Sequence, residues 1–327
     1  MTMSNIISIE KILHGDRRAV ARAISAIEND NGEAKKILSS LYRHTGHAYR
    51  IGITGPPGAG KSTITNKLAK WYRRHNMRVG IIAVDPTSPF SGGALLGDRV
   101  RMTDVELDDG VFIRSMASRG SLGGLSKKTS EAADVLDASG VDIIILETVG
   151  VGQSELDIAG SADTTVVVLV PESGDGIQAM KAGLMEIADF FVLNKADRPG
   201  AEQAVVSMKM ILGFRAHNET TWMPDVLKSV ASEDKGIAEI GALIARHKTH
   251  LEQTGELAIR RTKRVRERIE EMIQEKLEVD FWNTARRKRL EDHLRSVLKF
   301  EETPYDAAKD LLGTFEPEVH RPPDDSQ

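Results

Sequence analysis

The chain has 327 residues, of which 40% are hydrophobic and 28% charged, and its formal net charge is −4. These values predict a globular protein with one large core or two smaller ones, and the acidic balance disfavours nucleic acid or an acidic membrane as a partner. The absence of cysteine excludes disulfides, thiolate metal sites and thiol redox chemistry. No secretory signal pattern opens the chain, and no apolar run approaches the ~20 residues that cross a bilayer. We therefore expect a soluble, cytoplasmic protein.

Residues 1–47 have the apolar spacing of short helices, and Asp16 is placed to cap the second of them. Residues 48–255 alternate short apolar runs with helical stretches, and several runs are apolar on both faces, as buried parallel strands are. This alternation predicts an α/β fold with a mostly parallel, doubly wound sheet. The predicted strands are Arg50–Thr54, Val79–Val84, Val111–Arg114, Val141–Leu146, Thr165–Val170, Phe190–Leu193 and Val226–Val230.

Residues 256–327 form a charged helical arm and a tail rich in Pro and Asp. The basic run Arg286–Arg289 resembles a nucleic-acid patch, but the acidic total favours a solvated helix face paired with nearby carboxylates. We expect the arm to form a homodimer through an apolar stripe. The stripe consists of Val265, Ile269, Met272, Ile273 and Leu277. The chain thus divides into an N-terminal helical extension (1–47), a nucleotide-binding domain (48–255) and a C-terminal arm (256–327).

Residues 55–62 read GPPGAGKS and fit the phosphate-loop pattern G-x-x-x-x-G-K-[ST]. The segment follows a predicted strand and opens a predicted helix, Lys61–Tyr72, so that backbone N–H groups and the helix N-terminus can converge on phosphate oxygens. We expect Lys61 to bridge the β- and γ-phosphates and the Ser62 hydroxyl to ligate Mg²⁺. The expected nucleotide contacts in this loop are Gly55, Pro57, Gly58, Ala59, Gly60, Lys61, Ser62 and Thr63.

A second tetrapeptide, NKAD at residues 194–197, follows the predicted strand Phe190–Leu193. Asp197 can accept hydrogen bonds from guanine N1–H and the exocyclic amine, and adenine offers neither donor. Asn194 would address the opposite edge of the base, and the stem of Lys195 would lie along the ring. Since both loops lie at the C-terminal edge of one predicted sheet, we expect the nucleotide to be GTP. The expected base contacts are Asn194, Lys195, Asp197, Ser229, Val230 and Ala231.

Three carboxylates are candidates for binding Mg²⁺ together with Ser62. Asp85 ends the second predicted strand, Glu147 closes a very apolar strand, and Asp98 lies beyond a Gly-rich stretch. A helix N-cap is the alternative role for Asp98. Oxygen ligands of this kind, facing a bound triphosphate, suit direct or water-mediated coordination of Mg²⁺.

Two further loops are candidates for sensing or stabilising the γ-phosphate. Gly150 can donate its N–H to that phosphate and Gln153 can orient a water, although a solvent-facing Gln is an equal alternative. Lys181 can reach developing phosphate charge or pair with carboxylates, and a plain surface lysine is its alternative. The candidate catalytic residues are Lys61, Asp98, Glu147 and Lys181.

In the identity of these loops and their order along the chain, the sequence resembles the MeaB/ArgK family of P-loop GTPases. The resemblance rests on GPPGAGKST (55–63), AVDPTS (83–88), SGGALLGDRVRM (91–102), ILETVGVGQSE (145–155), ESGDGIQAMKAG (172–183) and NKAD (194–197). It implies a homodimeric GTPase that acts as a chaperone of adenosylcobalamin-dependent methylmalonyl-CoA mutase, gating cofactor loading and protecting or reactivating the mutase. It also implies that Asp98, Glu147 and Lys181 are functional and that Asp85 joins the Mg²⁺ set.

Two other functions remain open from the residues alone. A phosphotransferase acting on a protein or an amino-acid transport system would need an acceptor pocket with a catalytic carboxylate, and no separate motif indicates either. A metal-insertion GTPase is poorly supported, because the chain has no Cys and no clustered His.

Overall fold

A computed structural model describes residues 7–30, 32–85, 105, 107–117, 122–148, 154–171, 183–214, 218 and 221–313. The strands are β1 (Tyr49–Thr54), β2 (Val79–Asp85), β3 (Val111–Ala117), β4 (Ile143–Thr148), β5 (Thr164–Leu169), β6 (Phe190–Leu193) and β7 (Val226–Lys228). They form one seven-stranded sheet in the order β3-β2-β4-β1-β5-β6-β7, and every neighbouring pair is parallel. The predicted α/β fold with a parallel sheet is therefore confirmed.

Two predicted strand boundaries were wrong in ways that affect the site. The strand predicted as Val141–Leu146 begins at Ile143 and continues to Thr148, so Glu147 lies within β4, in register with Ile53 of β1. Val141 packs in the core but lies in the turn before the strand. In the sequence its apolar side chain therefore looks like the start of the strand. The last strand ends at Lys228, and Val230 instead pairs with Lys235 in an isolated antiparallel bridge.

The helices of the described residues are α1 (Ile9–Leu13), α2 (Arg17–Glu28), α3 (Ala34–Leu41), α4 (Lys61–Arg74), α5 (Leu122–Ala138), α6 (Ser154–Ser161), α7 (Leu184–Ile187), α8 (Ala201–Leu212), α9 (Ile237–Thr254), α10 (Glu256–Phe281), α11 (Thr284–Leu298) and α12 (Pro304–Gly313). Helices α4 and α9 share a core with one face of β1, and α5 and α6 share a core with the opposite face of the sheet. None of the helices in the described part of the chain has the length and apolar character needed to cross a membrane.

The N-terminal helices belong to the core of the sheet. Asp16 caps α2 as predicted, its carboxylate accepting a hydrogen bond from the Ala19 N–H at 2.7 Å. Ile24 and Ile27 of α2 are fully buried in the cluster that also contains Leu136 of α5. The chain divides into two compact units, Met1–Arg261 and Thr262–Gln327, and the helices of residues 1–47 lie within the first.

A buried polar network lies at the edge of the sheet where the strands begin. The Thr164 hydroxyl is 2.6 Å from the Tyr49 hydroxyl and 2.7 Å from Nδ1 of His247. Two carboxylates beside this edge are paired with the first turns of α10: Arg260 binds Asp189 at 2.9 Å, and Arg261 binds Asp163 at 3.0 Å. Burial lowers the pKa of His247 to about 4, so this histidine is neutral at pH 7. The network satisfies charges that would be costly to bury alone.

The second unit contains the predicted charged arm. Arg289 binds Asp310 at 2.5 Å, and the guanidinium of Arg287 lies over the Trp282 ring, so two members of the basic run have partners within the arm. The predicted stripe on α10 is solvent-accessible, with side chains between 41% and 53% exposed. Its members are Val265, Ile269, Met272, Ile273 and Leu277.

His293 of α11 is bonded to two carboxylates, one on α12 and one in the turn before it. Its Nδ1 is 2.8 Å from Glu302 and its Nε2 is 2.9 Å from Asp310. The bond to Glu302 is the main cause that raises the pKa of His293 above its ordinary 6.5, and the bond to His293 is the main cause that lowers the pKa of Asp310 below its ordinary 3.8.

We expect this cluster to protect α11 and α12 most strongly between pH 3.8 and 6.5. The protection due to His293 is lost as the pH rises through its raised pKa, and the part due to Asp310 is lost as the pH falls through its lowered pKa. Hydrogen exchange of α11 and α12 in the full chain, corrected for the intrinsic effect of pH, measures this. The variant His293→Gln should show a flatter profile above pH 6.5, and an unchanged profile would contradict the assignment.

Candidate functional site

The phosphate loop connects β1 to α4 at the C-terminal edge of the sheet, with the predicted strand before it and the predicted helix after it. Gly55 has φ 133°, and a Cβ there would lie 2.1 Å from the Val168 carbonyl oxygen. Gly60 has φ 92°, and its Cβ would lie 2.3 Å from the Asn194 amide nitrogen. Both positions require glycine, because the loop passes directly against β5 and the NKAD loop.

Lys61 is held inside the phosphate loop. Its ammonium donates hydrogen bonds to the carbonyl oxygens of Gly55 at 2.6 Å and Pro56 at 3.1 Å, and the residue is only 6% exposed. Pro57, Gly58 and Thr63 are exposed at the same loop. A cation is thereby fixed beside backbone groups that can bind phosphate oxygens.

Two of the four predicted metal ligands are brought together. The Ser62 hydroxyl donates to Oε1 of Glu147 at 2.5 Å, although the residues are 85 positions apart, and Glu147 is 1% exposed. A hydroxyl and a buried carboxylate are hard oxygen donors and fit Mg²⁺, which usually takes few protein ligands and completes its shell with phosphates and water. The described residues contain no group of three or more His, Cys, Asp or Glu that could hold a metal by themselves.

Asn194 connects the predicted nucleotide loops to one another. Its amide nitrogen donates to the Ala59 carbonyl at 2.8 Å, and its amide oxygen accepts from the Ser229 hydroxyl and the Ala231 N–H, each at 3.1 Å. The residue is 3% exposed. Its amide groups were predicted to address the guanine edge, and the structure shows them bonded to the protein on both sides of the base loop.

Lys195 and Asp197 present the two ends of the NKAD loop differently. Lys195 has φ 56°, and its ammonium donates to the Gly58 carbonyl at 2.8 Å, so its stem spans from the base loop to the phosphate loop. Asp197 is exposed. The Ala196 N–H donates to the Ser229 carbonyl at 3.0 Å, which joins this loop to the segment Ser229–Ala231. The loops predicted to bind the base and the phosphates therefore border one space.

Several predicted residues lie outside the described part of the chain: Asp98, Gly150, Gln153, Lys181 and the side chain of Asp85. The backbone of Asp85 ends β2 and is in register with Ala117 of β3. Sequence reasoning missed the Lys195–Gly58 and Asn194–Ala59 contacts, and also the hydrogen bond between Thr148 and Thr54 at 3.1 Å. No local signal marks such contacts, since each joins residues from distant segments.

Replacing Asn194 with alanine is expected to destabilise the first unit by about 1–3 kcal/mol, because the buried partners Ala59 and Ala231 lose their hydrogen bonds. Urea unfolding of the full chain measures the change. The control Gln203→Ala removes an exposed amide from α8 and should change stability by less than about 0.5 kcal/mol. Equal stability of both variants would show that Asn194 does not hold the loops together.

The parallel sheet, with GPPGAGKS after β1 and NKAD after β6, defines a P-loop GTPase. The model of the family described as methylmalonyl-CoA mutase-associated GTPase MeaB matches residues 20–286. The chain belongs to this family.

Individual relatives agree with this assignment. The chain is 49% identical over 306 residues to a predicted GTPase of Pyrococcus abyssi, covering 93% of this chain and 94% of that protein. It is 32% identical over 326 residues to the mitochondrial methylmalonic aciduria type A homolog of Mus musculus, covering 93% and 78%. Among solved structures, an LAO/AO transport system kinase superposes with a TM-score of 0.74 at 28% identity, covering 96% of this chain and 98% of that one.

Proposed function

We propose that this protein hydrolyses GTP with Mg²⁺ and serves as a chaperone of adenosylcobalamin-dependent methylmalonyl-CoA mutase, gating cofactor loading and protecting or reactivating the mutase. The observation that carries the proposal is the match to the mutase-associated GTPase family over most of the chain. The contacts among the phosphate and NKAD loops support the nucleotide part of it.

In this proposal the phosphates lie over the loop 55–63 and the guanine lies at the NKAD loop. Lys61 exchanges its bonds to the Gly55 and Pro56 carbonyls for phosphate oxygens, which its charge binds more strongly. Asp197 accepts from guanine N1–H and the exocyclic amine. Asn194 addresses the opposite edge of the base and the stem of Lys195 lies along the ring. The backbone of the segment Ser229–Ala231 contacts the guanine oxygen. Protein contacts thus fix the distance between the part of the site that binds guanine and the part that binds the phosphates.

The metal would be held by Ser62 and Glu147, with Asp85 and Asp98 as further ligands, and it would supply positive charge that neutralises the phosphate oxygens. The burial of Glu147 keeps its carboxylate in place against the Ser62 hydroxyl. Lys61 stabilises the charge that develops as water attacks the γ-phosphate in line. Gln153 and Lys181 are proposed to orient the water and to approach the transferred phosphoryl group.

The exposed apolar stripe on α10 supports a homodimer, because side chains this large and accessible at helical spacing are typical of a surface that pairs with another. Sedimentation of the purified chain tests it. We further propose that the protein works in the cytoplasm.

Steady-state GTP hydrolysis with and without purified methylmalonyl-CoA mutase tests the proposed client. We expect the mutase to accelerate turnover, and a pull-down with GDP and with a GTP analogue to retain it in at least one nucleotide state. Unchanged turnover together with no retention would contradict the chaperone proposal. GTP labelled at the γ-phosphate separates hydrolysis from phosphotransfer, since label on a protein or amino acid instead of inorganic phosphate would favour a kinase.

A further inference from the structure

A cavity of about 450 Å³ lies in the first unit, away from the nucleotide loops. It is bounded by the segment that leads into β7 and by the second half of α9. The Asp225 carbonyl accepts from the Phe191 N–H at the start of β6, which places this segment at the edge where the parallel strands begin. The phosphate loop follows the opposite end of β1, so the two sites are on opposite edges of the sheet.

One side of the cavity is lined by apolar residues. Trp222, Met223, Pro224 and Leu243 contribute this wall. The indole N–H of Trp222 donates to the Asp189 carbonyl at 2.7 Å, and its ring packs against His247 with centroids 4.7 Å apart. The indole is therefore fixed before any ligand arrives, which lowers the entropy cost of stacking a planar group on it.

The other side carries the guanidinium of Arg246, an exposed residue, and the ring of His250. Arg246 and His250 are four residues apart on α9 and thus share a face. Among the described residues, Arg246 has no ion-pair or hydrogen-bond partner, and the side-chain contact of His250 is its ring packing against Trp222 at 5.3 Å. The lining carboxylate, Asp225, is engaged by Lys209 at 3.1 Å and by the Val226 N–H at 2.7 Å.

We infer that this cavity binds a small organic anion with one planar apolar group, whose carboxylate or phosphate pairs with Arg246 and His250 while the planar group lies on Trp222. The volume is within the range of small-molecule sites. Arg246 supplies a guanidinium whose paired donors match either kind of anion. This site is independent of the proposed GTPase activity.

Isothermal titration calorimetry of the full chain, preloaded with GDP and Mg²⁺ to fill the nucleotide site, tests the inference with phenyl phosphate and phenylacetate as probes. We expect one of the two to bind at a single site with a dissociation constant below about 1 mM. Inorganic phosphate lacks the aromatic ring and benzyl alcohol lacks the anion. Each should therefore bind at least about tenfold more weakly. The probe that binds more tightly shows whether the cavity prefers a phosphate ester or a carboxylate.

The variant Arg246→Gln should weaken binding of that anion at least about tenfold, since it removes a charge-assisted pair. Lys248→Gln makes the same charge change on the same helix, outside the cavity lining, and should leave binding unchanged. Unaltered thermal unfolding of both variants shows that they are folded. The inference is overturned if neither aromatic anion binds, if inorganic phosphate binds equally well, if both variants weaken binding equally, or if the probe displaces GDP.

Discussion

Replacing Lys61 with alanine is expected to lower the rate of GTP hydrolysis about 10²- to 10³-fold, the usual effect of removing one fixed group that stabilises transition-state charge. The ammonium is nearly buried and is already held by the Gly55 carbonyl within the phosphate loop, so its position is fixed before GTP binds. Single-turnover hydrolysis at saturating GTP measures the chemical step separately from nucleotide affinity.

Lys70→Ala is the matched control, because it removes a lysine from the same helix about 13 Å further along its axis. This variant should hydrolyse GTP at the rate of the unaltered protein. If Lys61→Ala slowed hydrolysis by less than about tenfold while remaining folded, Lys61 would not be the residue that stabilises the developing charge.

Replacing Asp197 with asparagine is expected to weaken GTP binding by about 100-fold, since charge-assisted hydrogen bonds contribute about 1.5–3 kcal/mol each. The amide oxygen of asparagine can accept a hydrogen bond from guanine N1–H. Its NH₂ group then faces the exocyclic amine of guanine, and two donors cannot pair. Xanthine carries an oxygen at that position, so the variant should bind XTP more tightly than GTP. Equilibrium binding of GTP, XTP and ATP measures the reversal.

Asp234→Asn provides the control for this change. Asp234 is another exposed aspartate of the first unit, in the turn after Ala231–Glu233, and it pairs with Lys67. Its replacement should leave the preference for GTP intact. A variant Asp197→Asn that kept full GTP affinity would move guanine recognition to another residue.

Much of the nucleotide site was predictable because its signals are local. The glycines of GPPGAGKS indicate the backbone geometry of the phosphate loop. The alternation of apolar runs with helices predicted all seven strands of the sheet. Glu147 was singled out from the sequence because it closes a very apolar run, and the structure shows that its strand continues to Thr148.

The contacts of Asn194 with the rest of the protein could not be predicted. Its position in NKAD predicts a base contact, and its amide is in addition bonded to Ala59, Ser229 and Ala231, three residues from two other segments. Periodicity and motif spacing report the conformation of neighbouring residues along the chain. They carry no information about which distant loops approach within hydrogen-bonding distance.

The sequence by itself determined the class of protein, because a phosphate loop after one strand and NKAD after another need only local chain geometry to be recognised. Only the tertiary structure decided that Ser62 meets Glu147, that Lys195 reaches Gly58, and that Trp222, Arg246 and His250 line the same open cavity. The physical reason is that these groupings depend on the order in which parallel strands pair. That order is set by how the apolar faces of the helices and the sheet bury one another across the whole first unit.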